Sequence, residues 1–128
     1  VIYLDTSVAL AHLFAEDRRP RESIWQETLV ASRLLEYELW TRVNARGLAK
    51  RHDEAVRGLL GRVAFVELAR PVLGRALEPF PLPVRTLDAM HLASMDWLRA
   101  QGQLVQLASF DERLLAAARR LKFDIADV

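Results

Sequence analysis

Short, wholly apolar runs alternate along this chain with longer stretches of helical periodicity. Val1-Ile2-Tyr3-Leu4 is apolar throughout and ends at Asp5. A run without alternation predicts a strand buried on both faces, as in a parallel sheet. Thr6 or Ser7 is placed to cap a helix over residues 8–14, which the charged stretch 16–20 ends. A helix is expected over residues 21–28 and a short strand over 29–31. Ser32 is placed to cap a long helix reaching residue 50, with Leu35, Leu39, Val43 and Leu48 as its apolar stripe and Trp40 beside it. Asp53 starts another helix, to residue 61 or 62, and Val63-Ala64-Phe65-Val66 reads as a strand.

A short helix is expected over residues 71–77, and Pro79, Pro81 and Pro83 mark an extended connection. Thr86 is placed to cap a helix to residue 100, with Gly102 as its stop signal. A strand over 104–108, a Ser109-Phe110-Asp111 loop, a helix over 112–121 and a last strand over 124–128 complete the chain. Strands and helices in this order predict a single α/β domain over 1–128: a central, mostly parallel sheet of about five strands flanked by helices. Ligands of such sheets bind beyond the carboxyl ends of the strands, so chemistry is sought in the residues that follow each strand.

Composition narrows that search. The 128 residues are 52% hydrophobic and 27% charged, which is a globular balance. There is no cysteine, which excludes disulfides and thiolate metal sites. No apolar run approaches the ~20 residues of a membrane helix, and no secretory signal is visible. The expected location is the cytoplasm. The chain begins at Val1, and a residue or two is expected to precede it. Net charge is only +1, but it is uneven. Residues 1–17 carry three acids and no Lys or Arg, whereas residues 18–75 carry twelve basic and seven acidic side chains. Sixteen of the eighteen cations are arginine, a residue suited to bidentate contact with phosphate. A phosphate-bearing partner is one reading of this surface; solvated acid–base pairs are the plainer one.

Four acids stand out by position. Asp5 follows the first strand, and Asp111 follows the strand over 104–108. Glu38 borders the apolar stripe of its helix, and Asp88 lies in the first turn of the helix that Thr86 opens. Each has a structural explanation: a helix cap for Asp5, a favourable dipole for Asp88, a turn or cap for Asp111, and a pair with Arg42 for Glu38. If they converge, however, two charges ~4 Å apart repel by about 4 kcal/mol at an effective dielectric of 20. Such a group needs a cation, or some of its members must be protonated. An all-oxygen site suits Mg²⁺ or Mn²⁺, which activate water and neutralise charge at phosphorus. Carboxylates beside an arginine-rich surface thus point to phosphodiester hydrolysis.

At these residues the chain resembles the PIN-domain ribonucleases, and among them the VapC-type toxins of toxin–antitoxin pairs. Val1-Ile2-Tyr3-Leu4-Asp5-Thr6-Ser7-Val8 is similar to the family's opening strand and first catalytic aspartate. Ser32-Arg33-Leu34-Leu35-Glu36-Tyr37-Glu38-Leu39 resembles its serine-started helix, whose glutamate comes six residues after the serine; that selects Glu38 rather than Glu36. Leu87-Asp88-Ala89-Met90-His91-Leu92-Ala93 is similar to its central aspartate motif. The segment from Ser109-Phe110-Asp111 to Ala118 resembles its last motif, with serine where threonine is commoner.

The resemblance implies a catalytic, metal-binding set of Asp5, Glu38, Asp88 and Asp111, holding Mg²⁺ or Mn²⁺. It implies that Thr6, Ser7 and Ser109 orient carboxylates or metal waters, and that the substrate is single-stranded or looped RNA cut by water. It further implies a homodimer and a small VapB-type antitoxin whose tail occludes the active site.

Other residues read less sharply. His91, one turn from Asp88, is either a contact to RNA or a carboxylate, or the plainer packed helix residue. His12 reads as structural, and His52 as exposed in a basic interhelical turn. Arg42 and Arg46 follow Glu38 at four-residue spacing and either lead phosphates toward the acids or form a solvated face. Trp25, Trp40 and Trp97 suit packing better than base stacking, and the helices near Trp25, Trp40 and Leu48 are a candidate dimer surface. Two other function classes compete. A non-catalytic PIN-like RNA- or protein-binding module would lose acids, and this chain keeps all four. A phosphoryl-transfer domain with Asp5 as nucleophile would want a second nearby aspartate or a late-sheet lysine, and Lys122 is misplaced for that role.

Overall fold

The computed structural model describes residues 1–128. Five strands form one sheet, all parallel: β1 (Ile2–Leu4), β2 (Leu29–Ser32), β3 (Val63–Val66), β4 (Gln106–Ala108) and β5 (Asp124–Ile125). Six α-helices connect them: α1 (Thr6–Leu13), α2 (Leu34–Ala45), α3 (Ala49–Leu60), α4 (Arg70–Ala76), α5 (Thr86–Ala100) and α6 (Glu112–Arg120).

The apolar strand runs bury both faces of the sheet, as their lack of alternation requires. Tyr3, Val30 and Leu107 sit in one row and point into a core with α4, α5 and α6, containing Val72, Leu92, Met95 and Leu114. Their strand neighbours Leu4, Ala31 and Ala108 point the other way, into a second core with α1, α2 and α3, containing Val8, Leu35, Leu39 and Val56. The period of two along a strand thus sorts the chain into two cores, one per face.

The strand order is β3-β2-β1-β4-β5. The chain steps outward from β1 through β2 to β3, then crosses back to place β4 on the other side of β1. The switch point therefore lies between β1 and β4, where the loops at the carboxyl ends part and leave a crevice.

Several local expectations need correction. Asp5, not Thr6 or Ser7, caps α1: its carboxylate accepts the Ser7 N–H. Thr86 opens α5 as its first residue, and no side chain caps that helix. The helix expected over 21–28 is a 3-10 segment, Glu22–Gln26. The long helix expected from Ser32 to residue 50 is two helices, broken at Gly47, whose φ is +66°. Gly47 N–H bonds the Asn44 carbonyl and Leu48 N–H bonds the Val43 carbonyl, a helix stop that favours glycine. The next helix therefore starts at Ala49, not at Asp53. β4 starts at Gln106 rather than at residue 104, its first pair being Ile2 with Gln106; Leu104 is left 88% exposed. No helix is long and apolar enough to cross a membrane.

Candidate active site

Asp5 ends the central strand, its N–H bonded to the Ala108 carbonyl of β4 at 3.0 Å. The residue is 6% exposed, so its carboxylate needs donors. Oδ2 takes all of them: Ser7 Oγ at 2.6 Å, Ser109 Oγ at 2.8 Å and the Ser7 N–H at 3.4 Å. Each serine is oriented in turn by a backbone N–H, Phe110 to Ser7 Oγ and Asp111 to Ser109 Oγ, both at 2.9 Å. Two hydroxyls thus spend their hydrogens on one oxygen of Asp5 and tie the β1–α1 junction to the β4–α6 loop. Oδ1 accepts no protein hydrogen bond.

Asp111 caps α6 through Oδ1, which accepts from the Arg113 and Leu114 N–H groups at 2.9 and 3.3 Å. Glu38, on α2, uses Oε1 twice: it accepts from Thr6 Oγ1 at 2.8 Å and from His91 Nε2 at 2.7 Å. Asp88 sits in the first turn of α5. All four acids line one cavity of about 470 Å³ at the switch point, with Thr6, Ser7, His91 and Arg42.

The electrostatics record their proximity. Burial raises the Asp88 carboxyl above the ordinary aspartate range, and the charges of Asp111 and Asp5 raise it further; His91 and the Arg85 backbone offset only part. Burial also pushes Glu38 up, but the hydrogen bond and charge of His91, with Thr6 and Arg42, hold it below its usual value. His91 is shifted upward despite burial, because Glu38, Asp5 and Asp88 all favour its cation.

The donor set is hard oxygen without thiolate, which fits Mg²⁺ or Mn²⁺. No three of the His, Asp and Glu side chains close into a ligand shell. Magnesium keeps several waters and needs only one or two direct carboxylates, so this spacing neither requires nor excludes it. A cation would also relieve the repulsion that raises Asp88.

The structure brings Asp5, Thr6, Ser7, Glu38, Asp88 and Asp111 to the cavity, with Ser109 beneath them. Arg42 lines it; Arg46 does not, because its guanidinium lies 4.1 Å from the ring centroid of Phe14. His91 is 2% exposed and also bonds a carboxylate, so its two readings hold together. His52 is half-buried on α3 against the edge of Phe14 rather than exposed in a turn. Sequence reasoning missed Tyr3, whose hydroxyl is 2.7 Å from His91 Nδ1. Its spacing of two before Asp5 is the signal that it points to the same side of β1. Reasoning from sequence also missed the walls Leu10, Tyr37, Thr41 and Leu87; Tyr37 is 63% exposed. A larger cavity of about 740 Å³ between α4, the proline run and α5 is mostly apolar and holds none of the four acids.

Fold and site together define the class: a doubly covered parallel α/β domain with carboxylates gathered at the switch point of its sheet. The sequence matches the PIN domain family over residues 2–120. It is 32% identical to Ribonuclease VapC47 of Mycobacterium tuberculosis (strain CDC 1551 / Oshkosh), an alignment covering 96% of this chain and 93% of that protein. The fold is shared with a chain of a toxin-antitoxin complex from Klebsiella pneumoniae, with a TM-score of 0.63, 15% identity and 94% of each chain covered. The chain belongs to the PIN domain family, and within it to the VapC-type proteins.

Proposed function

We propose that this chain is a metal-dependent endoribonuclease and the toxin of a VapBC-type toxin–antitoxin pair. The observation that carries the reading is the meeting of Asp5, Glu38, Asp88 and Asp111 on one cavity at the switch point. The ribonuclease name of the 32% identical relative supports RNA as the substrate. The toxin-antitoxin title of the structural neighbour supports an antitoxin as partner.

In this reading the four acids hold Mg²⁺ or Mn²⁺. When bound, the ion supplies an acidified water and neutralises charge at the phosphodiester. The chain's own residues do the rest. Ser7 and Ser109 fix Asp5 through Oδ2 and leave Oδ1 for the ion. Asp111 is fixed by its capping bonds and Glu38 by Thr6 and His91. Arg42 at the rim attracts the RNA backbone, and exposed Tyr37 offers a face on which an unstacked base can rest. A small VapB-type antitoxin would occlude this cavity, and the working form would be a cytoplasmic homodimer.

The phosphoryl-transfer alternative loses support. Lys122 lies with Val1, Ile2 and Gln106 around a separate cavity at the amino ends of the strands, away from Asp5.

The test is incubation of purified protein with a structured RNA pool in Mg²⁺, in Mn²⁺ and in EDTA. Discrete cuts that need metal are expected. Cutting that persists in EDTA, or metal binding with no cut in any RNA of the pool, would contradict the reading.

A further inference from the structure

Beneath the cavity floor a line of hydrogen bonds joins four elements. The Ser32 N–H, at the end of β2, donates to the Tyr3 hydroxyl at 3.1 Å. That hydroxyl is 2.7 Å from His91 Nδ1 on α5. His91 Nε2 is 2.7 Å from Glu38 Oε1 on α2. An ionised glutamate can only accept, so Nε2 carries a hydrogen and donates it. Tyr3 is 0% exposed and His91 2% exposed, so neither can reach an RNA chain. The rings meet edge to face, with centroids 5.8 Å apart.

We infer that Tyr3 and His91 are positioning residues that set the orientation of Glu38 toward the metal ion, an inference that rests on the ribonuclease reading above. Glutamate is long and rotatable, and Arg42 stands one turn along the same helix as a competing partner. Two donors from different elements, Thr6 and His91, converge on Oε1 and leave Oε2 as the unbonded oxygen. His91 can do this only with its ring turned the right way. A half-turn would present carbon to Glu38. The Tyr3 hydroxyl, itself held by the backbone of β2, selects the ring face by bonding the opposite nitrogen. Such outer partners of metal ligands typically govern affinity by about 10–100-fold.

The design separates geometry from packing. Glutamine can place its side-chain nitrogen near the position of Nε2, whereas leucine fills the space with no donor. Mn²⁺ binding to the full chain is measured by calorimetry for the parent, His91→Gln, His91→Leu and Tyr3→Phe, with folding checked by circular dichroism. The expected result is Mn²⁺ affinity weaker by about 10–100-fold in His91→Leu, recovery to near parental affinity in His91→Gln, and an intermediate loss in Tyr3→Phe. For RNA cleavage, kcat falls in the same order and KM holds. If His91→Leu fails to fold, His91→Gln and Tyr3→Phe still decide between parental and intermediate affinity. Parental Mn²⁺ affinity in a folded His91→Leu, or in Tyr3→Phe, overturns the inference and leaves the ribonuclease reading intact. So does a folded His91→Gln as weak as His91→Leu. A parent that binds no Mn²⁺ and cuts no RNA overturns both.

Discussion

Asp5 and Asp111 each serve two purposes with two oxygens. One oxygen caps a helix, as the plain structural reading of each residue expects, and the other is left for the cavity. The structural and functional readings of these acids were never exclusive, which is why position alone could not choose between them. Asp88 shows the cost of the arrangement. Its carboxyl is raised by burial and by Asp111 and Asp5, so the folded chain holds that proton more tightly than the unfolded chain. Its ionisation therefore destabilises the fold, and the loss grows as pH rises from the ordinary aspartate value through the raised one. At neutral pH, Asp88→Asn is expected to melt above the parent in EDTA, while its RNA cleavage in Mn²⁺ falls by at least about 100-fold. A lower melting temperature would show that the repulsion is not felt. Asp96 behaves oppositely: burial raises it, but the Arg75 and Arg99 hydrogen bonds at 2.7 and 2.8 Å outweigh that and lower it. Its contribution is present above the ordinary aspartate value and lost as pH falls through the lowered one. Asp96→Asn is expected to cost about 1 kcal/mol near neutrality and to flatten the acid limb of a pH–stability curve. At the cavity rim, Tyr37→Ala is expected to raise KM for RNA by about tenfold with kcat little changed, the loss of one stacked base. An unchanged KM would remove Tyr37 from the substrate path.

Helix ends mark the limit of what hydrophobic pattern can reveal. The stripe Leu35, Leu39, Val43 and Leu48 runs across two helices because Leu48, just outside α3, still packs against the same core as α2. Periodicity follows burial, and burial continues where the backbone turns. The backbone signal was Gly47, and it outranked the stripe. A Cβ at Gly47 would meet nothing within 4 Å, so only its φ of +66° constrains the residue. Gly47→Ala is expected to destabilise by about 1 kcal/mol in urea unfolding, with m unchanged. The end of α6 has the same geometry without glycine: Lys122 has φ +67°, and the Phe123 N–H bonds the Ala118 carbonyl at 3.0 Å. Lys122→Gly is expected to stabilise by up to about 1 kcal/mol. The opposite sign at either position would mean that packing, not backbone conformation, decides these turns.

At the scale of the molecule, the order of elements was legible because both faces of the sheet are covered, so β1, β2 and β3 are almost wholly apolar runs and easily told from helices. The sheet order was not legible. Nothing in the apolar runs says that β4 returns to the side of β1, and that return creates the crevice. The acids were legible one by one, as residues after strands or beside a stripe. Their supports were only partly so, since the Tyr3–His91–Glu38 line joins three elements that are distant in the chain. In the proposed function these acids carry metal-dependent hydrolysis of RNA, and Asp5 is the sharpest probe of them because two serines already hold it in place. The measurement is the cleavage rate of one RNA cut by the parent in Mn²⁺, beside Asp5→Asn of matched folding. Asp5→Asn is expected to lose cleavage by at least about 100-fold, and EDTA to reduce the parent to the same level. A folded Asp5→Asn that cuts at the parental rate would remove these acids from the chemistry.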